Sequence, residues 1–138
     1  MTTWSEGDIL PTISLDLTLR RAIQAVAGTR DYYPVHHDVQ AAKQSGAKGL
    51  FFNTMFLQGF VGRAICEWFG NDAFVRRLVL AMYDSNYVGQ TLTATGVVSK
   101  IRDEGERHLV DADVTLATED GHTTEVNISV QLPPEATT

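Results

Sequence analysis

The segment from Asp31 to Asp38 concentrates side chains that can transfer protons. It reads Asp-Tyr-Tyr-Pro-Val-His-His-Asp, and it contains two of the four histidines of the chain together with two carboxylates. Histidine is the side chain whose ordinary pKa lies closest to neutral pH. Across a bend imposed by Pro34, the Asp31 carboxylate and the His36 imidazole could be aimed at one water or substrate atom. The pattern therefore predicts general acid–base chemistry by Asp31 and His36.

The same residues also allow structural explanations. Asp38 directly precedes a helical pattern and is predicted to cap that helix, while Asp31 could cap a turn. Carboxylates and histidines are metal-ligand types as well, but adjacent histidines rarely converge on one ion and no third histidine lies nearby in the sequence. We therefore expect no metal site, and the residues by themselves leave catalysis and capping both open.

The elements around this segment must position its side chains. Residues Ile9 to Leu19 alternate between apolar and polar types, which predicts a strand. Arg20 to Gly28 has apolar residues at helical spacing and a glycine as its stop signal, which predicts a short helix. A proline-stiffened loop over residues 29–38 then leads into a second short helix, from Asp38 to Ser45.

The apolar stretch from Gly49 to Gly70 is the longest in the chain. Asn53 and Thr54 are candidate caps for a helix that runs to about Phe69 and ends at Gly70. Large apolar side chains cover most of its circumference, which is typical of a helix surrounded by other elements. We therefore expect this helix to form the centre of the core.

The central stretch does not fit a membrane-spanning helix, which needs roughly 18 uninterrupted apolar residues. The small residues Gly59 and Gly62 would let another backbone approach the helix closely. Four polar or charged residues interrupt the apolar stretch at short intervals, at Asn53, Gln58, Arg63 and Glu67.

The chain after Asp72 predicts strands. Turn sequences at residues 103–106 and 119–122 predict hairpins. Apolar and polar residues alternate along the strand between these two turns, which predicts that one of its faces packs on the central helix. The elements together predict an α+β domain in which an antiparallel meander curls round a long central helix, the arrangement of the hot-dog fold. The strands are predicted over four runs rich in Val, Leu and Thr: Phe74 to Tyr83, Thr91 to Ile101, His108 to Thr118 and Thr123 to Leu132.

The amino-acid composition limits the classes of protein to which the chain can belong. The 138 residues, 43% of them hydrophobic, fit a single domain over residues 1–138 with a polar and frayed C-terminal tail. A net charge of −6 disfavours binding to nucleic acid or to an anionic membrane. One cysteine, Cys66, excludes an internal disulfide, and the first residues carry no secretory signal pattern. We expect a cytoplasmic protein.

The segment from Asp31 to Asp38 resembles the motif Asp-x-Asn-Pro-[Leu/Ile/Val]-His-x-Asp of MaoC-like, R-specific enoyl-CoA hydratases, with Tyr33 in the place of the asparagine. Residues 87–96 resemble a second motif of that family, Pro-Gly-Asp-Thr-Leu-x-x-x-Gly, which opens the strand after the central helix. The run Val-His-His-Asp is also similar to one in the small subunits of heteromeric steroid side-chain enoyl-CoA hydratases. The resemblance extends over the whole chain in the order of its elements.

This resemblance implies a hydro-lyase that adds water reversibly to a trans-2-enoyl-CoA and needs no cofactor, because CoA is part of the substrate. It implies Asp31 and His36 as the acid–base pair. Backbone N–H groups of Thr54 or Met55, at the start of the central helix, would bind the thioester oxygen. The family usually has a histidine-glycine turn at this point, whereas here the residues are Asn53 and Thr54.

Two further sets of residues are candidates for contact with such a substrate, although most of the aromatic ones are expected to be core residues. Candidates for substrate binding are Tyr33, Phe52, Asn53, Phe56 and Tyr83. Candidates for contact with CoA phosphates are the cations Arg30, Arg76, Arg77, Lys100 and Arg102.

The sequence allows more than one assembly state and more than one activity. An open sheet edge, and a site that is usually completed at a subunit boundary, predict a homodimer or a heteromer with a second hot-dog subunit. An acyl-CoA thioesterase of the same fold is one alternative activity. A noncatalytic acyl-binding subunit of a hot-dog complex is the other.

Overall fold

One antiparallel sheet of five strands packs on a long helix in the computed structural model, which describes residues 3–134. Residues 135–138, the end of the tail that is predicted to fray, lie outside the described residues. A 3₁₀ turn, Pro34–His36, lies between the first two helices. The elements in chain order are β1 (Ile9–Asp16), α1 (Leu19–Thr29), α2 (Val39–Gln44), α3 (Thr54–Phe69), β2 (Phe74–Met82), β3 (Thr91–Glu104), β4 (Arg107–Thr118) and β5 (Gly121–Leu132).

Helix α3 forms the centre of the core, as its apolar circumference predicts. Its buried side chains include Leu57, Val61 and Ile65, which pack in one cluster with the inner face of the sheet. The alternation predicted for β4 is confirmed, because Val110 and Leu116 on its inner face are fully buried. Each large side chain buried in this way stabilises the fold by roughly 1.5–3 kcal/mol. No helix in the described part of the chain is long and apolar enough to span a membrane.

The strands are ordered β1-β3-β4-β5-β2. Strands β3, β4 and β5 form the predicted meander, but β2 pairs with β5 rather than with β3, so the meander does not include β2. The reason lies in the connection over residues 83–90, which is not a tight hairpin. It binds the segment before α3 instead, through the bonds from Phe52 N–H to the Asn86 carbonyl and from Val88 N–H to the Leu50 carbonyl, each 3.0 Å long.

The boundary between β1 and α1 differs from the prediction. The strand ends at Asp16 rather than Leu19, because the Thr18 hydroxyl accepts a hydrogen bond from the Arg21 N–H and caps α1. Helix α1 also continues one residue beyond the predicted stop at Gly28. It ends instead at Arg30, whose left-handed backbone conformation terminates the helix.

Within residues 3–134, no other segment makes the close approach to α3 that Gly59 and Gly62 would allow. A Cβ atom built on either glycine would meet no heavy atom within 4 Å. Close contact occurs at Gly96 of β3, where a Cβ would lie 2.9 Å from Leu10 Cδ1 and 3.3 Å from the Asp113 carbonyl oxygen. A larger residue at Gly96, where β1 pairs with β3, would therefore force the buried Leu10 side chain to shift.

Candidate active site

A tight reversal of the chain after α1 positions Asp31. Arg30 has φ 54° and ψ 30°, the left-handed region, where a side chain with a Cβ costs on the order of 1 kcal/mol. Such strained residues concentrate at functional sites, where the surrounding structure holds them. Asp31 follows directly, and its carboxylate turns back toward the 3₁₀ turn.

The 3₁₀ turn presents His36 to that carboxylate. Pro34 is its first residue, as suits a residue without an N–H, and the His36 N–H donates to the Tyr33 carbonyl over 3.1 Å. Only 8% of His36 is exposed. The turn thus gives the histidine a fixed backbone and a buried ring.

Asp38 and Asp31 differ in what they bind. Oδ1 of Asp38 accepts hydrogen bonds from two N–H groups in the first turn of α2, those of Gln40 and Ala41, so the cap predicted there is confirmed. Asp31 accepts a long hydrogen bond of 3.4 Å from the Tyr33 N–H, which leaves its second oxygen for other contacts. Among residues 3–134, no three His, Cys, Asp or Glu side chains are grouped so that they could hold a metal ion.

Asp31 and His36 form a close pair. Asp31 Oδ2 lies 3.4 Å from His36 Nε2, and about a quarter of the Asp31 side chain is exposed. On the other side of the ring, His36 Nδ1 lies 2.7 Å from the Phe51 carbonyl oxygen. A carbonyl can only accept, so Nδ1 carries the hydrogen and Nε2 of the neutral ring is unprotonated. When the ring is neutral, the pair therefore presents two hydrogen-bond acceptors side by side.

The Phe51 carbonyl that orients His36 is itself held in place. Phe51 forms an isolated antiparallel bridge with Tyr87, and its ring meets the His36 ring edge to face at 5.0 Å between centroids. In the same connection, Asn86 is fully buried and its Oδ1 accepts a hydrogen bond of 2.6 Å from the Thr123 hydroxyl. Sequence reasoning missed this role of Phe51, because a backbone carbonyl is the same in every residue type.

Asn53 connects the pair to α3. Its Oδ1 accepts a hydrogen bond of 2.8 Å from the Phe56 N–H, so it caps the helix as predicted. Its Nδ2 donates to Asp31 Oδ2 over 3.1 Å and to the Thr29 hydroxyl over 2.9 Å. The side chain is 94% buried, with 6% exposed. The candidate substrate contact Asn53 is thus already bonded to the protein on every side.

Two N–H groups at the start of α3 are open to a ligand. Thr54 and Met55 are exposed, and their N–H groups have no acceptor within the part of the chain that the structure describes. The first turn of a helix carries such unpaired donors together with the positive end of the helix dipole. This start of α3 follows Asn53 directly, so the donors lie beside the Asp31–His36 pair.

The aromatic candidates occupy different environments. Tyr33 is exposed and meets the His36 ring edge to face, with 6.4 Å between centroids. Phe52 is buried in the core and contacts the half-buried Phe56 at 4.5 Å between centroids. Tyr83 lies just beyond β2, where three quarters of it is exposed.

The candidate cations are not gathered in one place. Arg30 directly precedes Asp31, whereas the others lie on strands β2 and β3. Arg76 lies over the Phe74 ring at 4.6 Å, and Arg102 pairs with Asp111 across the β3–β4 ladder. Arg77 lines the same groove on the outer face of the sheet as Arg102, and Lys100 lies opposite Asp111 in the register.

The ion pair of Arg102 and Asp111 affects both pKa values. The hydrogen bond to Asp111 raises the pKa of the Arg102 guanidinium. Burial alone would raise the pKa of Asp111, but the hydrogen bonds from Arg102 and Ser129 outweigh it and lower that pKa below 3.8. Arg102 also contacts Glu104. The pair is therefore a structural element of the outer sheet face.

Comparison with known proteins places this chain in a family. Residues 11–120 match the family described as MaoC like domain. The chain belongs to the MaoC-like family. The matched range runs from β1 to the turn after β4 and includes the whole segment from Asp31 to Asp38.

Relatives of this MaoC-like chain are known from sequence and from structure. A curated relative from Mycobacterium tuberculosis is 30% identical over 97 residues, which cover 70% of this chain and 75% of the relative; it is the 3-oxo-4,17-pregnadiene-20-carboxyl-CoA hydratase beta subunit. A chain of the ChsH1–ChsH2 complex from the same organism superposes with a TM-score of 0.88 and 24% identity, covering 95% of this chain and all of that chain.

A second solved structure also matches this MaoC-like chain over nearly its full length. The (R)-hydratase of A. caviae involved in PHA biosynthesis gives a TM-score of 0.86 at 17% identity, covering 96% of this chain and all of that one. At such low identities the two structures show the fold alone. The predicted α+β hot-dog fold, with an antiparallel sheet round a long helix, is confirmed.

The chemistry open to this MaoC-like site follows from its acceptors and donors. Asp31 Oδ2 and His36 Nε2 can each accept one hydrogen bond from the same water, which leaves a lone pair of its oxygen free to attack. The N–H groups of Thr54 and Met55 can receive an oxygen that becomes negatively charged. The site thus has groups that can activate a water next to groups that can bind an oxyanion.

Proposed function

We propose that this chain carries the acid–base pair of an enoyl-CoA hydratase, which adds water reversibly across a trans-2-enoyl thioester. The observation that carries the proposal is the distance of 3.4 Å between Asp31 Oδ2 and His36 Nε2, beside the open N–H groups at the start of α3. Hydration of a conjugated thioester needs both parts. It needs a group that moves protons and a group that stabilises the enolate oxygen.

The thioester oxygen binds at the start of α3. The N–H groups of Thr54 and Met55 polarise the carbonyl, which makes Cβ of the double bond electrophilic. As water adds, negative charge develops on this oxygen, and the preorganised donors stabilise it more strongly than they stabilise the neutral carbonyl. The helix dipole contributes in the same direction.

The pair of Asp31 and His36 binds the water and transfers its proton. The water oxygen forms a bond to Cβ while the pair removes one of its protons. A proton then passes from the pair to Cα as the enolate collapses, so that the pair ends in the protonation state in which it began. The reverse sequence dehydrates a 3-hydroxyacyl-CoA to the enoyl-CoA and water.

The name of one relative supports a proposal for the substrate class. The M. tuberculosis relative is named as a hydratase of a pregnadiene carboxyl-CoA, and we propose a CoA thioester with a steroid side chain for this chain as well. Such a substrate needs an apolar surface near the pair. Two residues in the first turn of α3 offer part of one, the exposed Met55 and the half-buried Phe56.

The sheet edges favour a hot-dog partner. Strand β1 is one edge, and Pro11 together with an irregular register between Leu10 and Ile13 makes it a poor template for pairing. Strand β2 is the other edge, and it exposes large apolar residues that include Phe74 and Val79. We propose assembly through β2, with a second copy or with a different hot-dog subunit. The likeness to a chain of the ChsH1–ChsH2 complex supports a different subunit as the partner.

The test is the loss of ultraviolet absorbance of the conjugated enoyl thioester. Crotonyl-CoA, a long-chain enoyl-CoA and a steroid side-chain enoyl-CoA are each mixed with the chain alone and with the chain co-purified with its hot-dog partner. Loss that His36→Ala abolishes supports the hydratase, and its rates rank the substrates. Release of free thiol without hydration identifies a thioesterase instead. Tight binding without turnover in both preparations identifies an acyl-binding subunit.

A further inference from the structure

The amide of Asn53 has only one orientation that satisfies its surroundings. Its oxygen must face the Phe56 N–H, because only the oxygen can accept, so its nitrogen must face Asp31 and Thr29. The Thr29 hydroxyl donates its own hydrogen to the Ala25 carbonyl over 2.6 Å and is therefore an acceptor toward Asn53. Both amide hydrogens of Asn53 are thus assigned, one of them to Asp31 Oδ2.

We propose that Asn53 is a positioning residue that holds the Asp31 carboxylate toward His36. This inference deepens the proposed function and rests on it. The same oxygen, Asp31 Oδ2, receives the Asn53 hydrogen bond of 3.1 Å and faces His36 Nε2 at 3.4 Å. The Asp31 side chain is partly exposed, and within residues 3–134 the Asn53 bond is the shorter of the two hydrogen bonds that restrain its carboxylate, the other being the 3.4 Å bond from the Tyr33 N–H.

Helix capping alone does not explain an asparagine at this position. Serine, threonine and aspartate cap helices as well, because each offers an oxygen to the N–H groups of the first turn. Among these caps, only asparagine also has two N–H donors on the same side chain. The residue type is therefore explained by the carboxylate that it faces as well as by the helix that it caps.

The same bonds connect the two halves of the site. Asn53 begins the helix whose next two N–H groups, those of Thr54 and Met55, are the open donors. Because one side chain is bonded both to that helix and to Asp31, it sets the distance between the oxyanion donors and the acid–base pair. Misplacement of a reacting group by about 1 Å can lower a rate on the order of a hundredfold.

Asn53→Ser separates positioning from capping. Serine keeps a capping oxygen but lacks the amide N–H groups, and its single O–H is on a side chain that is shorter by the amide, so the bond to Asp31 is lost. We therefore expect kcat to fall by about tenfold or more while KM for the enoyl-CoA stays within about twofold. The matched control is Thr18→Ala, which removes the cap of α1 and should leave kcat unchanged. Wild-type kcat in a folded Asn53→Ser protein would overturn the proposal.

A double-mutant cycle checks that Asn53 acts through Asp31. In an Asp31→Asn background, Asn53→Ser should change the residual rate by less than about twofold, because the carboxylate that it positions is gone. If the losses of the two variants multiply, Asn53 acts independently of Asp31 and the proposal is wrong. Melting temperatures of all variants confirm that each is folded.

Nuclear magnetic resonance makes the inference testable apart from turnover. If the wild type hydrates no enoyl-CoA, the proposed function fails, but the Asn53 bond can still be measured. We expect Asn53→Ser to shift the ring ¹⁵N resonances of His36, and Asp31→Asn to shift the side-chain amide resonances of Asn53, whereas Thr18→Ala does neither. Unchanged resonances in both variants would refute the positioning role.

Discussion

Asp31 Oδ2 and His36 Nε2 face each other at 3.4 Å although a proline lies between the two residues in the chain. Two local conformations bring this about. The left-handed Arg30 reverses the chain before Asp31, and the 3₁₀ turn that begins at Pro34 brings His36 round to face it. The Phe51 carbonyl then sets which nitrogen of the ring is turned toward the carboxylate.

Removal of either member of the pair should abolish most of the activity. We expect Asp31→Asn and His36→Ala each to lower kcat by on the order of a hundredfold or more, which is the contribution of a general acid or base. The matched control is His37→Ala, because His37 is exposed and, within the part of the chain that the structure describes, its Nε2 bonds only to the Tyr32 carbonyl. Near-wild-type turnover in folded Asp31→Asn or His36→Ala would remove that residue from the mechanism.

Gly96→Ala should destabilise the protein. The new Cβ would lie 2.9 Å from the buried Leu10 side chain, so the free energy of unfolding should fall by about 1 kcal/mol. The control is Gly59→Ala in α3, where nothing lies within 4 Å and alanine should raise the free energy of unfolding by about 0.5–1 kcal/mol. Urea unfolding of both variants checks the signs, and an equal effect would contradict this account of the packing between β1 and β3.

The ion pair of Arg102 and Asp111 should contribute stability that depends on pH. The pKa of Asp111 in the folded state is lowered from 3.8 by hydrogen bonds from Arg102 and Ser129, which outweigh burial. Its contribution is therefore complete above pH 3.8 and is lost as the pH falls through the lower folded value. We expect Asp111→Asn to lower the melting temperature at neutral pH. The difference in melting temperature from the wild type should shrink as the pH falls below 3.8. A difference independent of pH would contradict the prediction.

A charge on the open sheet edge should weaken assembly. Val79 lies on β2 and is 43% exposed, so Val79→Lys should shift the protein from its assembled state toward the monomer, as edge lysines do in other sheets. Val97→Lys is the matched control, because Val97 is 38% exposed but lies on β3, which is paired on both sides. Light scattering after size exclusion gives the masses. Equal behaviour of the two variants would show that β2 is not the interface.

The sequence by itself determined the features that depend on near neighbours in the chain. The caps at Asp38 and Asn53 and the end of α3 at Gly70 were predictable, because capping joins groups only a few residues apart. The buried face of β4 was predictable from alternation, because successive side chains of a strand point to opposite faces. The sequence also showed that Asp31 and His36 are residue types that can transfer protons.

Only the tertiary structure decided how distant segments meet. The pairing of β2 with β5 and the bonds from His36 to the Phe51 carbonyl and from Asn53 to Asp31 join residues at least 15 positions apart. Two of these contacts run through backbone atoms, which every residue type shares, so no side-chain pattern encodes them. The bond of Asn53 to Asp31 does join two side chains. It forms only because the end of α1 lies next to the start of α3, and the packing of the core sets the distance between those two helix ends.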